Sequence, residues 1–453
     1  MRGFAHLQTL LIRLQRRFAV SGIRGELVVS WVSVTCFSIC LLLAGSALLR
    51  RADIFAPYRV FGVIWSFAIG LSDLKLSFFQ REWSTYSWIV LVTGVCSMML
   101  GFFIVSVIFL DRPMLSLSES RRRILEKRID ERSLFRIIMI FSSLYVFAMA
   151  IEVAFAGGFP AFSGRPDKAR VDFGVFGLHL FVTNMPAILL LCTQYLVFFW
   201  RESAGRRRNL VVASYIIVFL TFSLLLQRFS FVMWIIPTLC FVYYATDLFK
   251  LRHLALTVLG FFGFLQIIRS IRAVGYVEYY VYAISHMRYT KAYAVFTEPY
   301  MYIVMNLENF ARSVDQWTSY TYGYFTFDFL MAMTGLKHPI AKEFGLVERP
   351  FLISAYNTFS FLMPFYQDFG FIGVAFIPLF IGIIFGYFYQ SMRRQPTLGN
   401  ITMYSFAVSA LVLSFFVHEL GTLFTFMNIC LLVFVHYVLL PAGRRDQVHA
   451  RTY

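Results

Sequence analysis

The sequence predicts an all-α polytopic membrane protein, with about eleven transmembrane helices and one large, partly helical loop on one side. Three observations predict it. Hydrophobic residues make up 59% of the 453 and charged residues only 14%, against roughly 45–50% and 25% in an average soluble domain. The surplus Phe, Leu, Ile and Val is gathered into repeated apolar runs, many approaching the roughly 20 residues that cross a bilayer as a helix. The basic residues behind the net charge of +17 fall largely in short connections between those runs. That is how a multispanning chain is oriented, not the footprint of a nucleic-acid partner. A soluble enzyme, a disordered chain and a disulfide scaffold are excluded. The six cysteines (Cys36, Cys40, Cys96, Cys192, Cys240 and Cys430) all lie in apolar runs, where buried thiols are expected rather than disulfides.

Residues 1–25 are Arg-rich and only mildly apolar, which reads as a basic amphipathic segment on the membrane surface with no signal peptide before the first span. The membrane domain is expected over 26–440, with spans near 27–48, 58–74, 86–110, 134–156, 177–199, 210–226, 230–247, 254–268, 369–389, 401–418 and 422–440. A basic tail, 441–453, follows on the cytoplasmic side. Orientation comes from the connection 111–133, which holds Arg112, Arg121, Arg122, Arg123, Lys127, Arg128 and Arg132 and is therefore cytoplasmic. Counting onward, the connections with Arg206–Arg208, with Lys250 and Arg252, and with Arg393 and Arg394 fall on the same side. The first three spans obey the rule less well, because they place the basic residues 1–25 outside. Either 58–74 is tilted or re-entrant, or the N-terminal segment takes the unusual side.

The outer connections are then 157–176, the tip Gln227-Arg228-Phe229 and the stretch 269–368. The last is too long to lack structure of its own. Its tyrosines (Tyr276, Tyr279, Tyr280, Tyr282, Tyr289, Tyr293, Tyr300 and Tyr302) suit helices lying at the membrane–water interface. No internal repeat is visible.

No Gly-rich phosphate loop, His-Glu-x-x-His, Cys-x-x-Cys or Gly-x-Ser-x-Gly is present, and neither a metal site nor a cofactor is expected. Asp130 and Glu131 are adjacent but sit among basic residues, as surface ion pairs do. The unusual feature is basic charge on the outer side: Arg165, Lys168 and Arg170 in one connection, Arg228 at a hairpin tip, and Arg269 and Arg272 just after a span. Arginine stays charged and offers a planar fork that matches phosphate oxygens; the plain alternative is snorkelling to lipid headgroups. A second cluster is the run from Asn357-Thr358 through Tyr366, Asp368, Gly370 and Gly373. There Asp368 reads either as a functional carboxylate or as a helix cap. His338 and Glu348 in the long loop, Glu152, and the pair His418-Glu419 are further polar candidates, each equally at home as a structural hydrogen-bonding group.

In that order, the outer GGFP connection with its basic residues, the hairpin LLLQRFSFVMWIIP, the arginines after the next span and the final NTFSFLMPFYQDFGFIG resemble Wzy-type oligosaccharide repeat-unit polymerases of O-antigen, enterobacterial common antigen and exopolysaccharide synthesis. The likeness runs over roughly residues 50–440. It departs at the hairpin, which reads Leu226-Gln227-Arg228 where relatives frequently have Gly-Ser-Arg. The resemblance implies a metal-independent membrane glycosyltransferase in the bacterial inner membrane, its active site facing the periplasm. Its substrate is an oligosaccharide linked to undecaprenyl pyrophosphate, and the growing chain moves onto a new lipid-linked unit. Membrane lipids and a chain-length-regulating co-polymerase are the implied partners, with no nucleic acid. Arg228, Arg269 and Arg272 would stabilise the departing pyrophosphate, supported by Arg165, Lys168 and Arg170. Asp368 first, with His338 and Glu348 as alternatives, would take the acceptor proton, and Asn357, Tyr366 and His338 would contact substrate. An O-antigen ligase acting on a lipid acceptor and a flippase or transporter are the alternatives.

Overall fold

A computed structural model describes residues 30–49, 53–126, 130–247, 251–272, 277–346, 356 and 358–439. The segments expected at 1–25 and 441–453 lie outside the described residues. The described residues are helical, with no β-strand and one isolated antiparallel bridge between Ser77 and Met287. In chain order the first helices are α1 (Trp31–Leu49), α2 (Pro57–Asp73), α3 (Thr85–Ile108), α4 (Leu117–Glu126), α5 (Glu131–Ala156) and α6 (Pro166–Asp172). Then come α7 (His179–Thr183), α8 (Met185–Phe199), α9 (Gly205–Ser223), α10 (Arg228–Ala245), α11 (Leu251–Arg272) and α12 (Val277–Ile284). The last are α13 (Thr297–Gln316), α14 (Asp328–Met333), α15 (Lys337–Glu343), α16 (Leu362–Arg394), α17 (Leu398–Leu413) and α18 (Leu423–Val433).

Each predicted span overlaps helix, though not always a single one. Among the described residues, four helical stretches are long and apolar enough to cross a membrane by length and composition: Thr85–Ile108, Glu131–Phe162, Arg228–Ala245 and Leu362–Arg394. Their exposed faces carry Phe103, Phe147, Phe155, Ile372 and Phe380. Apolar surface of that extent belongs against lipid. The run 177–199 is not one helix but α7 and α8, parted at Asn184. Pro186 stands in the first turn of α8, where its missing N–H costs nothing. The thiols divide as well: Cys192 and Cys240 are buried as expected, but Cys96 and Cys430 lie exposed on their helices.

The chain folds as two compact units. One comprises Met1–Phe103, Gly275–Ile383 and Leu411–Glu419, and the other Ile104–Val274, Ile384–Ala410 and Leu420–Tyr453. In the first unit α3 and α16 cross with their backbones touching. A Cβ on Gly101 would stand 2.4 Å from the Leu379 carbonyl oxygen, and one on Gly382 2.4 Å from that of Met98. Only glycine permits that approach. Trp65 on α2 donates to Ser414 Oγ at 2.8 Å, closing this unit around its last segment.

The long loop packs on the same unit. Arg288 N donates to Leu76 O at 2.8 Å and Phe78 N to His286 O at 3.0 Å. The tyrosine-rich stretch is only partly at the surface. Tyr280 and Tyr293 are exposed, but Tyr289 and Tyr300 are buried with Met287, Met301, Val304, Met305 and Tyr356. Tyr300 Oη is fixed by Gln80 at 2.7 Å and by Leu76 N at 2.9 Å. Burial pushes the Tyr356 hydroxyl up to about 12, so it serves as a neutral hydrogen-bonding group. Tyr276 lies outside the described residues.

In the second unit Asp130 caps α5, accepting from the backbone N–H of Arg132 and Ser133. Glu131 pairs with Arg207 and accepts from the Tyr195 hydroxyl. The expected surface pairing therefore holds for Glu131, while Asp130 is a helix cap. The basic end of α16 is tied down by its carbonyl partners: Arg393 reaches Leu115 O at 2.7 Å and Arg394 reaches Phe109 O at 2.6 Å.

Candidate functional site

The basic residues expected to act together all belong to the second unit, on segments that pack on one another. The 3-10 turn Pro160–Phe162 and α6 pack together, and α6 packs on α11. Ala161 N donates to Leu224 O at 3.0 Å, which fastens the same connection to the hairpin before Arg228. Arg165 precedes α6 and is exposed, as is Lys168, while Arg170 is half-buried. Arg228 is the first residue of α10 and half-buried. Arg269 and Arg272 occupy the last turn of α11, and their side chains lie outside the described residues. Glu152, on α5, organises the far end of the connection: buried, it accepts from Val175 N at 3.0 Å and from His179 Nδ1 at 3.0 Å.

The hairpin explains its departure from the resembling sequences. Leu226 has φ +58°, the left-handed region that glycine takes at no cost. It keeps a leucine there by burying it to 1% exposure. Either residue delivers Arg228 at the start of α10.

The run 357–373 belongs to the first unit. Asp368 is fully buried and accepts from the Thr321 hydroxyl, from Phe325 N at 3.1 Å and from Thr326 N at 2.5 Å. Its carboxylate is engaged in clasping the loop 321–326. His418 Nε2 lies 3.3 Å from Thr326 O on the same loop. Tyr366, expected to contact substrate, is buried and donates to Val314 O at 3.0 Å. Gln367 O accepts from Trp317 Nε1 at 3.1 Å and from Thr321 N at 3.2 Å. Thr358 donates to Asn306, and Asn309 Nδ2 donates to Thr358 O at 2.9 Å.

The glycines of the run make an elbow. Gly370 has φ +61° and ψ −146° inside α16, a conformation essentially reserved for glycine. The Tyr320 ring fills the space a Cβ would need there. A Cβ on Gly373 would stand 2.3 Å from Phe365 O. The run is thus a scaffold that fixes the C-terminal turn of α13 and the loop after it. His338 lies exposed on α15, which Tyr324 holds through Lys337 O at 3.0 Å. Asn357 and Glu348 lie outside the described residues. No group of three or more potential metal ligands occurs among the described residues.

On the other side of that α13 turn is a cluster the sequence reading missed. Glu308 is buried to 1% exposure and accepts from Trp83 Nε1 at 2.8 Å and from Arg312 Nε at 3.2 Å. Arg81 stands 3.8 Å from it and binds Asp315 at 2.5 Å. Ser84 and Ser87 donate to the other Asp315 oxygen at 2.8 and 2.9 Å. Glu308, Arg312 and Asp315 recur at helical spacing on one face of α13. That face, and the Arg-Glu-Trp triplet opening onto α3, were the available signals. What stayed hidden was their meeting across more than two hundred residues of chain.

Comparison with known sequences finds a family for the chain. The family described as O-antigen polymerase matches over residues 53–423. No curated protein and no solved structure matches the chain.

Proposed function

The chain belongs to the O-antigen polymerase family, membrane proteins with a glycosyltransferase-like role on lipid-linked repeat units, and from that premise we propose where and how it acts. It works at the periplasmic face of the bacterial inner membrane, on oligosaccharides carried by undecaprenyl pyrophosphate. The growing glycan moves from its own carrier onto the non-reducing end of a new lipid-linked unit. The glycosidic C1–O bond to the pyrophosphate breaks and a C1–O bond to the acceptor hydroxyl forms. The hydroxyl proton passes to the phosphate oxygen set free.

The observation that supports this reading best is the packing of the GGFP connection against α11, and its hydrogen bond to the hairpin before Arg228, within one unit. Negative charge grows on the leaving pyrophosphate as the bond breaks. Fixed guanidinium groups stabilise that charge more in the transition state than in the ground state. Arg228, Arg269 and Arg272 fill this role, with Arg165, Lys168 and Arg170 drawing the anionic carrier to the site. A pyrophosphate is already a good leaving group, so the chemistry asks the protein chiefly for charge and position. Asp368, its oxygens engaged by the 321–326 loop, enters as a positioning residue, and so does Tyr366. His338, exposed on α15, remains a substrate contact in this reading.

The test is complementation of a strain lacking its repeat-unit polymerase, read as the ladder of polysaccharide lengths with membrane protein level checked by blot. Wild type restores the ladder, and Arg228→Ala and Arg272→Ala leave single repeat units at normal protein level. No ladder from wild type, with glycan appearing on a lipid A core acceptor instead, overturns the polymerase in favour of a ligase. Normal ladders from the arginine variants overturn the arginine assignment alone.

A further inference from the structure

Resting on the polymerase reading, we propose that Arg81, Trp83, Glu308, Arg312 and Asp315 form a sugar-binding subsite in the first unit, which holds a pyranose ring of the repeat unit. The buried base of the cluster is Glu308, pinned by Trp83 Nε1 at 2.8 Å and Arg312 Nε at 3.2 Å. Above it the planar groups stay in reach of solvent: the side chains of Arg81, Arg312 and Asp315 are 36%, 21% and 22% exposed. Trp83 is half-buried and packs on Trp88 with ring centroids 4.7 Å apart.

Three physical points fix the ligand class. A buried carboxylate with two arginines around it is a poor way to gain stability, because desolvation consumes most of the Coulombic gain. The arrangement does hold several planar donors and acceptors in fixed directions at a surface, which is what oriented hydroxyl groups need. The charge also balances, with Arg81 and Arg312 facing Glu308 and Asp315. A balanced cluster has no surplus for a pyrophosphate, whereas neutral hydroxyls can both donate to the carboxylates and accept from the guanidinium groups. Finally, the indole supplies an apolar face with a polar edge, suited to the C–H face of a pyranose. The cluster is built on the same α13 turn that Tyr366 and Gln367 hold from behind. The elbow of α16 therefore sets the position of the subsite.

The probe is the lipid-free repeat-unit oligosaccharide, released by mild acid from the polymerase-deficient strain and titrated onto the detergent-purified full chain by calorimetry. Wild type binds it, and Trp83→Ala and Asp315→Asn each weaken binding by at least about tenfold, the scale of one lost stacking or charged hydrogen-bond contact. Trp83→Phe, which keeps a ring, loses less than Trp83→Ala, and both variants elute as monodisperse protein on size-exclusion chromatography, which sets lost binding apart from lost folding. Arg228→Ala binds the oligosaccharide like wild type although it makes no ladder.

Wild-type binding in Trp83→Ala and Asp315→Asn overturns the subsite and leaves the polymerase standing. Binding of inorganic pyrophosphate that these variants abolish overturns the sugar assignment. Trp83-dependent oligosaccharide binding by a chain that restores no ladder upholds the subsite and overturns the polymerase.

Discussion

Leu226 is the residue at which sequence and geometry pull hardest against each other. A leucine at φ +58° costs about 1–2 kcal/mol in backbone strain, while its full burial is worth about 2–3 kcal/mol. Burial wins, so Leu226→Gly lowers the thermal midpoint in detergent modestly even as it relaxes the turn. The midpoint measured beside wild type checks this. At the neighbouring Arg228, a lysine keeps the charge but not the planar fork, so Arg228→Lys shortens the polysaccharide ladder without abolishing it. Asp368→Asn turns an acceptor toward Thr326 N into a donor facing a donor, which costs about 1–3 kcal/mol. It shows as faster proteolysis within 321–346 in limited digestion, and an undisturbed pattern counts against the clasp. The residues of the 357–373 run stood out in the sequence, but the partners that hold them did not. A carboxylate before a span looks the same whether it faces substrate or, as here, the N–H groups of a distant loop.

Among elements, helices were legible and their interruptions were not. Apolar runs announce helix through their length, so each expected span overlaps helical structure. The elbow at Gly370 and the parting at Asn184 depend on single backbone angles that periodicity does not encode. The α3–α16 crossing is the element contact most exposed to substitution. Gly101→Val forces side-chain atoms into the Leu379 carbonyl, which stands 2.4 Å from where a Cβ would go, and it should cut the yield of folded protein in the membrane sharply, as monodisperse material on size-exclusion chromatography.

The cap of α5 is a gentler case. The Ser133 hydroxyl, then the N–H groups of Arg132 and Ser133, hold the Asp130 carboxyl below its usual range. Because the folded value is depressed, the cap contributes fully above the ordinary carboxylate range and is lost as pH falls through the lowered value. Asp130→Ala costs about 0.5–1 kcal/mol near neutral pH, and the gap to wild type closes in acid, as unfolding midpoints across that range will record.

For the whole molecule, the alternation of basic connections predicts which positions face which compartment. On the proposed orientation, and in a background with the native thiols replaced, Tyr322→Cys takes an impermeant maleimide from outside, and Ser118→Cys does so only after the membrane is opened. Labelling of both from outside contradicts the orientation. The division into two units escaped the sequence altogether, since each is assembled from separated stretches and nothing marks Phe103 or Gly275 as a boundary. That interleaving bears on how the protein is made. The first unit draws on Met1–Phe103, Gly275–Ile383 and Leu411–Glu419, and a ribosome delivers these in order, N-terminus first. Trp65 must wait for Ser414, so α2 is made long before one of its partners exists. Until Leu411–Glu419 is made, the first unit lacks its last segment. Substitutions late in the sequence should therefore register first as lost protein and only afterwards as altered polysaccharide.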